Sequence, residues 1–276
     1  NPSDVDISFI IPCYNGGKCI QNVIRAIGQN FIDRGDSYEI IVVDNRSDDD
    51  SAELARLAGA KVIESNSKTV AAVRNDGVKY AKGDILAFID ADVEIGKSWS
   101  CVLLDKIAIK PDSKLVTGSH CVVPEDIKEP FYSWYKAIEH DGRNTHLGSG
   151  HLILSRCFFN EIGGFDESLK SGEDYDLCRR ARKFGGVIVA DPGLVAVHLG
   201  YPSSVLGFLS RECWHGEADF SSIHAFLQSK VAVLSIIFFA FQVVALLAAL
   251  AGCLLLLMIC LCSMFSSLVL FVYIKF

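Results

Sequence analysis

Asp90 and Asp92 follow the apolar run Ile85–Ile89, so two carboxylates emerge at the end of a segment built for burial. Burying such groups costs on the order of several kcal/mol unless a cation meets them. Side chains alternate along extended backbone, so Asp90 and Asp92 point the same way and can approach one metal, directly or through water. Oxygen ligands of this kind suit Mg²⁺ or Mn²⁺, which can bridge a diphosphate and stabilise the charge on a departing phosphate. A solvated turn is the plain alternative for an Asp-Ala-Asp triplet. Its position after a buried strand argues for the metal.

Other chemistry-capable residues stand at comparable places. Pro12-Cys13-Tyr14-Asn15 closes the apolar run that starts at Ile7, and Asp44 ends Ile40–Val43. A carboxylate at such a strand end can accept hydrogen bonds from a base or ribose, or it can serve the local turn ahead of Asn45 and Ser47. Arg74-Asn75 lies on a helical stretch before the Asp90 strand, where the arginine can contact a diphosphate or form a solvated face. Glu173, Asp174 and Asp176 open another helix, as dipole partners or, for Asp174, as a general base toward an acceptor hydroxyl. His198 follows Leu194–Val197 and is an additional candidate metal ligand, although a lone histidine more often packs or caps. Arg211 and Trp214 can close over phosphates, or sit beside a membrane as ordinary interface residues.

Crossover helices and short β-rich strands must position these groups. Strands are expected at Ile7–Pro12, Glu39–Asp44, Lys61–Glu64 and Ile85–Asp90, with helices at Lys18–Phe31, Asp49–Ala58 and Thr69–Ala81 stopped by Gly59 and Gly83. That alternation reads as an open, parallel α/β sheet, in which ligands bind outside the carboxyl ends of the strands. Lys114 to Leu199 reads as a more irregular mixture, with strands at His151–Leu154 and Gly186–Ala190 and helices at 130–140 and 173–185.

The chain has 276 residues, half of them apolar. After Ser229 the only charges are Lys230 and Lys275, which leaves 24 basic against 33 acidic residues in the rest. That balance argues against nucleic-acid binding and for positive charge borrowed from a metal. Val231–Ile274 is long enough for two membrane helices of roughly 20 residues each, turning near Gly252. A hairpin would return both lysines to one face, which the positive-inside tendency places in the cytoplasm; one long tilted span is the alternative. Ser203–Leu227 alternates aromatic and charged residues and is expected to run along the membrane surface. The ten cysteines show no paired CxxC spacing, and most sit in apolar neighbourhoods where a free thiol acts as a small hydrophobe, which suits a reducing compartment. Asn1–Asp6 is polar rather than a signal peptide, and without an initial Met the chain is expected to be a trimmed fragment.

As a set and in order, Ile7–Asn15, Val42–Asp48, Arg74-Asn75, Asp90-Ala91-Asp92, Gly163–Glu167 and Gly172-Glu173-Asp174 resemble family 2 inverting glycosyltransferases of the GT-A fold. The resemblance covers about residues 7–200. It implies a GT-A catalytic domain at 1–200, with a donor half to about 113 and an acceptor half from 114. A juxtamembrane segment (201–229) and a transmembrane anchor (230–276) would follow. It implies a nucleotide-sugar donor bound by Pro12, Tyr14, Asn15, Asp44, Arg74 and Asp90. Mg²⁺ or Mn²⁺ would sit at Asp92 with Asp90 assisting and His198 completing the site, and Asp174 would be the catalytic base. Gly164, Phe165, Asp166 and Glu173 would shape the side of a hydroxyl acceptor, lipid-linked or close to the membrane. The processive branch carries QxxRW, which Arg211-Glu212-Cys213-Trp214-His215 lacks, so transfer of a single sugar is expected. A sugar nucleotidyltransferase and a non-catalytic membrane scaffold of the same fold are the rival readings.

Overall fold

A computed structural model describes residues 5–32, 34–122, 124, 146–200, 204–216, 223–253, 258–260 and 262–266. Strands β1 (Ile7–Cys13), β2 (Tyr38–Asp44), β3 (Lys61–Glu64) and β4 (Ile85–Ile89) pair in parallel in the order β3-β2-β1-β4. The crossovers are helices α1 (Ile20–Gln29), α2 (Ser51–Leu57) and α3 (Val70–Tyr80). The sheet continues through β7 (His151–Ser155), β6 (Leu115–Gly118) and β8 (Val187–Ala190), and of its seven strands only β7 runs against the others. A separate two-stranded ribbon joins β5 (Val93–Ile95) to β9 (Ala196–His198).

The apolar runs form strands because both faces of the sheet are covered. Ile7, Phe9 and Ile11 meet Ile20, Val23, Ile24 and Ile27 of α1 on one side, together with Trp99. Trp99 opens the short helix α4 (Trp99–Cys101), which continues as a π-helical turn at Val102–Ile107. Ile10, Leu86 and Phe88 face the opposite core, built from α3, α5 (Arg156–Glu161) and α6 (Glu173–Lys183). Burial on both faces also explains why these strands show no alternation of polar residues.

Helix boundaries follow local chemistry. Thr69 caps α3 by accepting a hydrogen bond from the Ala72 amide at 3.2 Å. Gly59 stops α2 with a positive φ of 96°. Gly83 does not act as a stop in this way. Its amide donates to Ser8 Oγ at 2.8 Å, and a β-carbon on it would lie 2.5 Å from the Ser8 nitrogen, so close approach to β1 is what requires glycine. The helix expected at 130–140 lies outside the described residues.

The chain divides into compact units at Asn1–Gly207 and Phe208–Phe276. Helices α7 (Val205–Gly216) and α8 (Ile223–Gln228) occupy the segment expected along the membrane surface. Helix α9 (Lys230–Leu250) follows, capped by Ser229, and its Ala232–Leu250 stretch is long and apolar enough to cross a membrane. At its end Gly252 has a φ of 67° and Cys253 donates to the Ala248 carbonyl, a tight stop. Helical turns reappear at 258–260 and 262–266, while most of the second half of the expected hairpin lies outside the described residues.

Candidate active site

Parallel register puts Cys13 beside Asp44 and Pro12 beside Val43, so the loops after β1 and β2 leave the sheet together. Asn15, at φ 53°, ties them: its amide donates to Ser47 Oγ at 2.9 Å and its Oδ1 accepts from the Asp48 amide at 2.8 Å. Tyr14 beside it is exposed. Asp44 is buried; Oδ2 accepts from the Ser47 amide at 3.2 Å, while Oδ1 has no hydrogen-bond partner among the described residues. An unmet buried acceptor costs about 1–3 kcal/mol, so this oxygen is suited to a ligand's donor. The loop after β1 also reaches the metal candidates, since a β-carbon on Gly16 would lie 3.2 Å from that of Ala91.

Asp90 follows β4 directly, and antiparallel pairing with β7 places Gly150 opposite it, with the Asp90 amide donating to the Gly150 carbonyl at 3.1 Å. Arg74 lies beneath, on α3. Its Nη2 is 2.6 Å from Asp90 Oδ1 and its Nη1 is 2.9 Å from Glu173 Oε1. Burial opposes charge on this guanidinium, but Asp90 and Glu173 outweigh it and raise the pKa. Ser149 then contacts both acids at the start of α6, its Oγ donating to Glu173 at 2.9 Å and its amide to Asp174 Oδ2 at 3.4 Å. Asp174, half-buried, therefore stands next to the assembly that holds Asp90.

Asp92 and His198 meet through the β5–β9 ribbon, in which Val93 is paired with His198 and the Leu199 amide donates to the Asp92 carbonyl at 2.8 Å. His198 Nε2 lies 3.2 Å from Asp92 Oδ2. Adjacent ligands of an octahedral cation with bonds near 2.1 Å are about 3 Å apart, so the pair fits Mg²⁺ or Mn²⁺. Among the described residues no three His, Cys, Asp or Glu gather into a closed metal cage. An open pair suits a cation that also takes oxygens from a phosphate ligand and water. Burial, together with the nearby Asp92 and Glu94 carboxylates, pushes the Cys19 thiol pKa up.

The Gly163–Glu167 stretch meets α3. Asn75 donates to the Phe165 carbonyl at 2.8 Å and to Glu167 Oε1 at 2.9 Å, and it accepts from the Phe165 amide at 3.1 Å. Gly164 has a φ of 68°, and Phe165 is buried with its ring edge-on to Phe88 and beneath the Arg74 guanidinium. Asp166 accepts from Ser168 in its own turn. Arg211 lies on α7. Sequence reasoning missed Ser149 and Gly150; the available signal was the small Gly148-Ser149-Gly150 run opening an apolar strand.

Under all of this lies His151, fully buried. Its Nε2 accepts from Trp99 Nε1 at 2.7 Å and its Nδ1 accepts from the Ser119 amide at 3.1 Å, with Ser119 Oγ 3.0 Å away, so both ring nitrogens are engaged inside the protein. Burial lowers its pKa to about 4. It is a neutral spacer and not a metal ligand.

The strand ends are therefore linked by contacts: Asp44 connects through Cys13 and Gly16 to Ala91-Asp92, and Asp90 connects through Arg74 and Glu173 to Asp174. The family described as Glycosyl transferase family 2 matches residues 8–160, more than half of the chain. Glycosyltransferase AglE of Haloferax volcanii is 34% identical over 210 residues, which cover 71% of this chain and 67% of that protein. Pre-mycofactocin glycosyltransferase of Mycobacterium tuberculosis is 24% identical over 230 residues, 78% of this chain and 47% of its own length, so the chain spans about half of that relative. Among solved structures, the mannosyltransferase PcManGT of Pyrobaculum calidifontis, in complex with GDP-Man and Mn²⁺, superposes with a TM-score of 0.59 at 18% identity, over 78% of this chain and 65% of that one. Its likeness is one of fold, and with the matched motifs and the mostly parallel sheet it establishes that the chain has a GT-A domain and belongs to glycosyl transferase family 2.

Proposed function

We propose that this chain transfers one sugar from a nucleoside-diphosphate donor to a hydroxyl acceptor, with inversion at the anomeric carbon and dependence on Mg²⁺ or Mn²⁺. The observation that supports the reading is the chain of contacts linking Asp44, Asp92 and Asp174 at the carboxyl ends of β1, β2 and β4. Asp44 Oδ1, buried and without a donor, takes a hydrogen bond from the nucleoside. Tyr14 and Pro12 border the same edge. Asp92 and His198 would hold the cation, which would supply positive charge against the diphosphate; the PcManGT structure with GDP-Man and Mn²⁺ supports a divalent metal. Asp174 accepts the proton of the acceptor hydroxyl as its oxygen bonds to the anomeric carbon, while the bond to the phosphate oxygen breaks and nucleoside diphosphate leaves. Gly164 and Phe165 shape the acceptor side by bracing α3 from that direction, and Asp166 fixes the turn that follows them.

The apolar helix Ala232–Leu250 supports attachment to a membrane, with Lys230 at its start favouring a cytoplasmic catalytic unit. An acceptor carried on a lipid, as in the assembly of an envelope glycan, suits that placement.

The test is turnover of a panel of uridine and guanosine diphosphate sugars with Mn²⁺ or with EDTA, with the anomer of the product read by NMR. Release of nucleoside diphosphate and an inverted product are expected. Release of pyrophosphate would move the chain to the nucleotidyltransferases. Nucleotide sugars that neither stabilise the protein nor turn over would leave the scaffold reading.

A further inference from the structure

Arg74 is only 2% exposed, and both of its terminal nitrogens are on carboxylates from different parts of the chain. Glu173, one partner, is 99 residues away in sequence and opens the helix that carries Asp174. Asp90, the other partner, leads the loop that carries Asp92. Ser149 completes the assembly by donating from Oγ to Glu173 and from its amide to Asp174. At this depth the guanidinium has both terminal nitrogens committed to protein carboxylates. Replacement of buried ion pairs by apolar groups is often neutral or stabilising, so this trio is better explained by geometry than by stability.

We infer that Arg74 and Glu173 are positioning residues: a buried latch, with Ser149 as its third contact, that fixes the separation between the Asp92 loop and the base Asp174. The planar fork of arginine suits the task because it spans two acids at once, which the single ammonium of lysine does not reproduce. The latch explains why Asp90, although part of the Asp-Ala-Asp triplet, has Oδ1 engaged with Arg74 and Oδ2 over the place a β-carbon on Gly150 would fill. This inference rests on the base and metal roles given above to Asp174 and Asp92.

Arg74→Lys tests it in the full-length chain. Hydrogen–deuterium exchange is followed without donor or metal, over peptides covering 86–96, 146–152 and 172–178. All three should open together, about tenfold faster or more. With a turnover assay in hand, kcat should fall about 100-fold while binding of UDP or GDP with Mn²⁺ changes by less than about threefold, the signature of misplacement rather than lost binding. Faster exchange confined to α3 overturns the latch. So does nucleotide affinity that falls in step with kcat, because Arg74 would then be a diphosphate ligand. Where Arg74→Lys fails to fold, Glu173→Gln decides: it keeps an oxygen acceptor but removes the charge, and unchanged exchange at 86–96 refutes the coupling. A wild-type chain inert toward every nucleotide sugar would sink the transferase reading, yet the exchange data would still decide the latch.

Discussion

Gly200→Ala places a methyl group where the carboxylate of Asp92 now sits. The new β-carbon would lie 1.7 Å from Oδ2 and 2.8 Å from Cγ, so the side chain must retreat by more than an ångström and leave His198. The stability cost is modest, because Asp92 is 35% exposed and can rotate toward solvent. A rotamer change and the loss of a partly exposed pair together cost about 1–2 kcal/mol. For a unit of this size that lowers Tm by roughly 2–8 °C. The effect on metal is larger. Mn²⁺ at about 100 times its dissociation constant should stabilise the wild type by about 2.7 kcal/mol. A displaced ligand that weakens affinity about 10–100-fold leaves only about 0.4–1.4 kcal/mol at the same concentration. The assay is thermal unfolding with UDP or GDP, titrated with Mn²⁺. Gly163→Ala is the control: its φ of 84° strains an alanine, but nothing lies within 4 Å of the new methyl. If Gly200→Ala keeps the wild-type response to Mn²⁺, Asp92 and His198 are not the metal pair.

Three further outcomes are expected. Asp174→Asn should bind nucleotide as the wild type does but lose about 10²–10⁴-fold in kcat, and transfer at the normal rate would remove Asp174 from the base role. His151, lowered to about 4 by burial, is neutral in the fold while the unfolded chain takes up a proton near its ordinary value of 6.5. The unfolded state therefore gains protons first as pH falls, and stability declines between about pH 6.5 and 4 by up to about 1.4 kcal/mol per unit. His151→Gln should flatten that limb in denaturant titrations at pH 7 and 5, and identical slopes would contradict the assignment. Gly83→Ala forces a methyl group to 2.5 Å from the Ser8 backbone and should destabilise by about 1–3 kcal/mol without changing the response to Mn²⁺; unaltered unfolding would show that the approach is not tight.

The parallel half of the sheet was legible because its information is local. Ile7–Cys13, Tyr38–Asp44 and Ile85–Ile89 are apolar runs with chemistry at their ends, and Thr69 marks a helix start by residue type alone. Asp44, Asp90 and Asp92 could be named for the same reason. What could not be read was pairing across long separations. Nothing in Gly148-Ser149-Gly150 says that it will lie against Asp90, since β7 enters the sheet antiparallel from far along the chain. The burial of Arg74 was illegible for a related cause: an arginine on a helix ordinarily faces solvent, and only Glu173 and Asp90 together make its burial tolerable. Gly83 was taken for a helix stop, because sequence displays a glycine's freedom of backbone but not the strand pressed against it.

The β5–β9 ribbon makes the boundary near residue 113 a division of labour rather than of substance. Asp92 is supplied before that boundary and His198, its partner, well after it, and strand β7 crosses back to face Asp90. Two polypeptides cut there would each lack part of the proposed site. Activity could return only when the pieces fold around each other, so the donor and acceptor sides cannot be exchanged between proteins as separate modules.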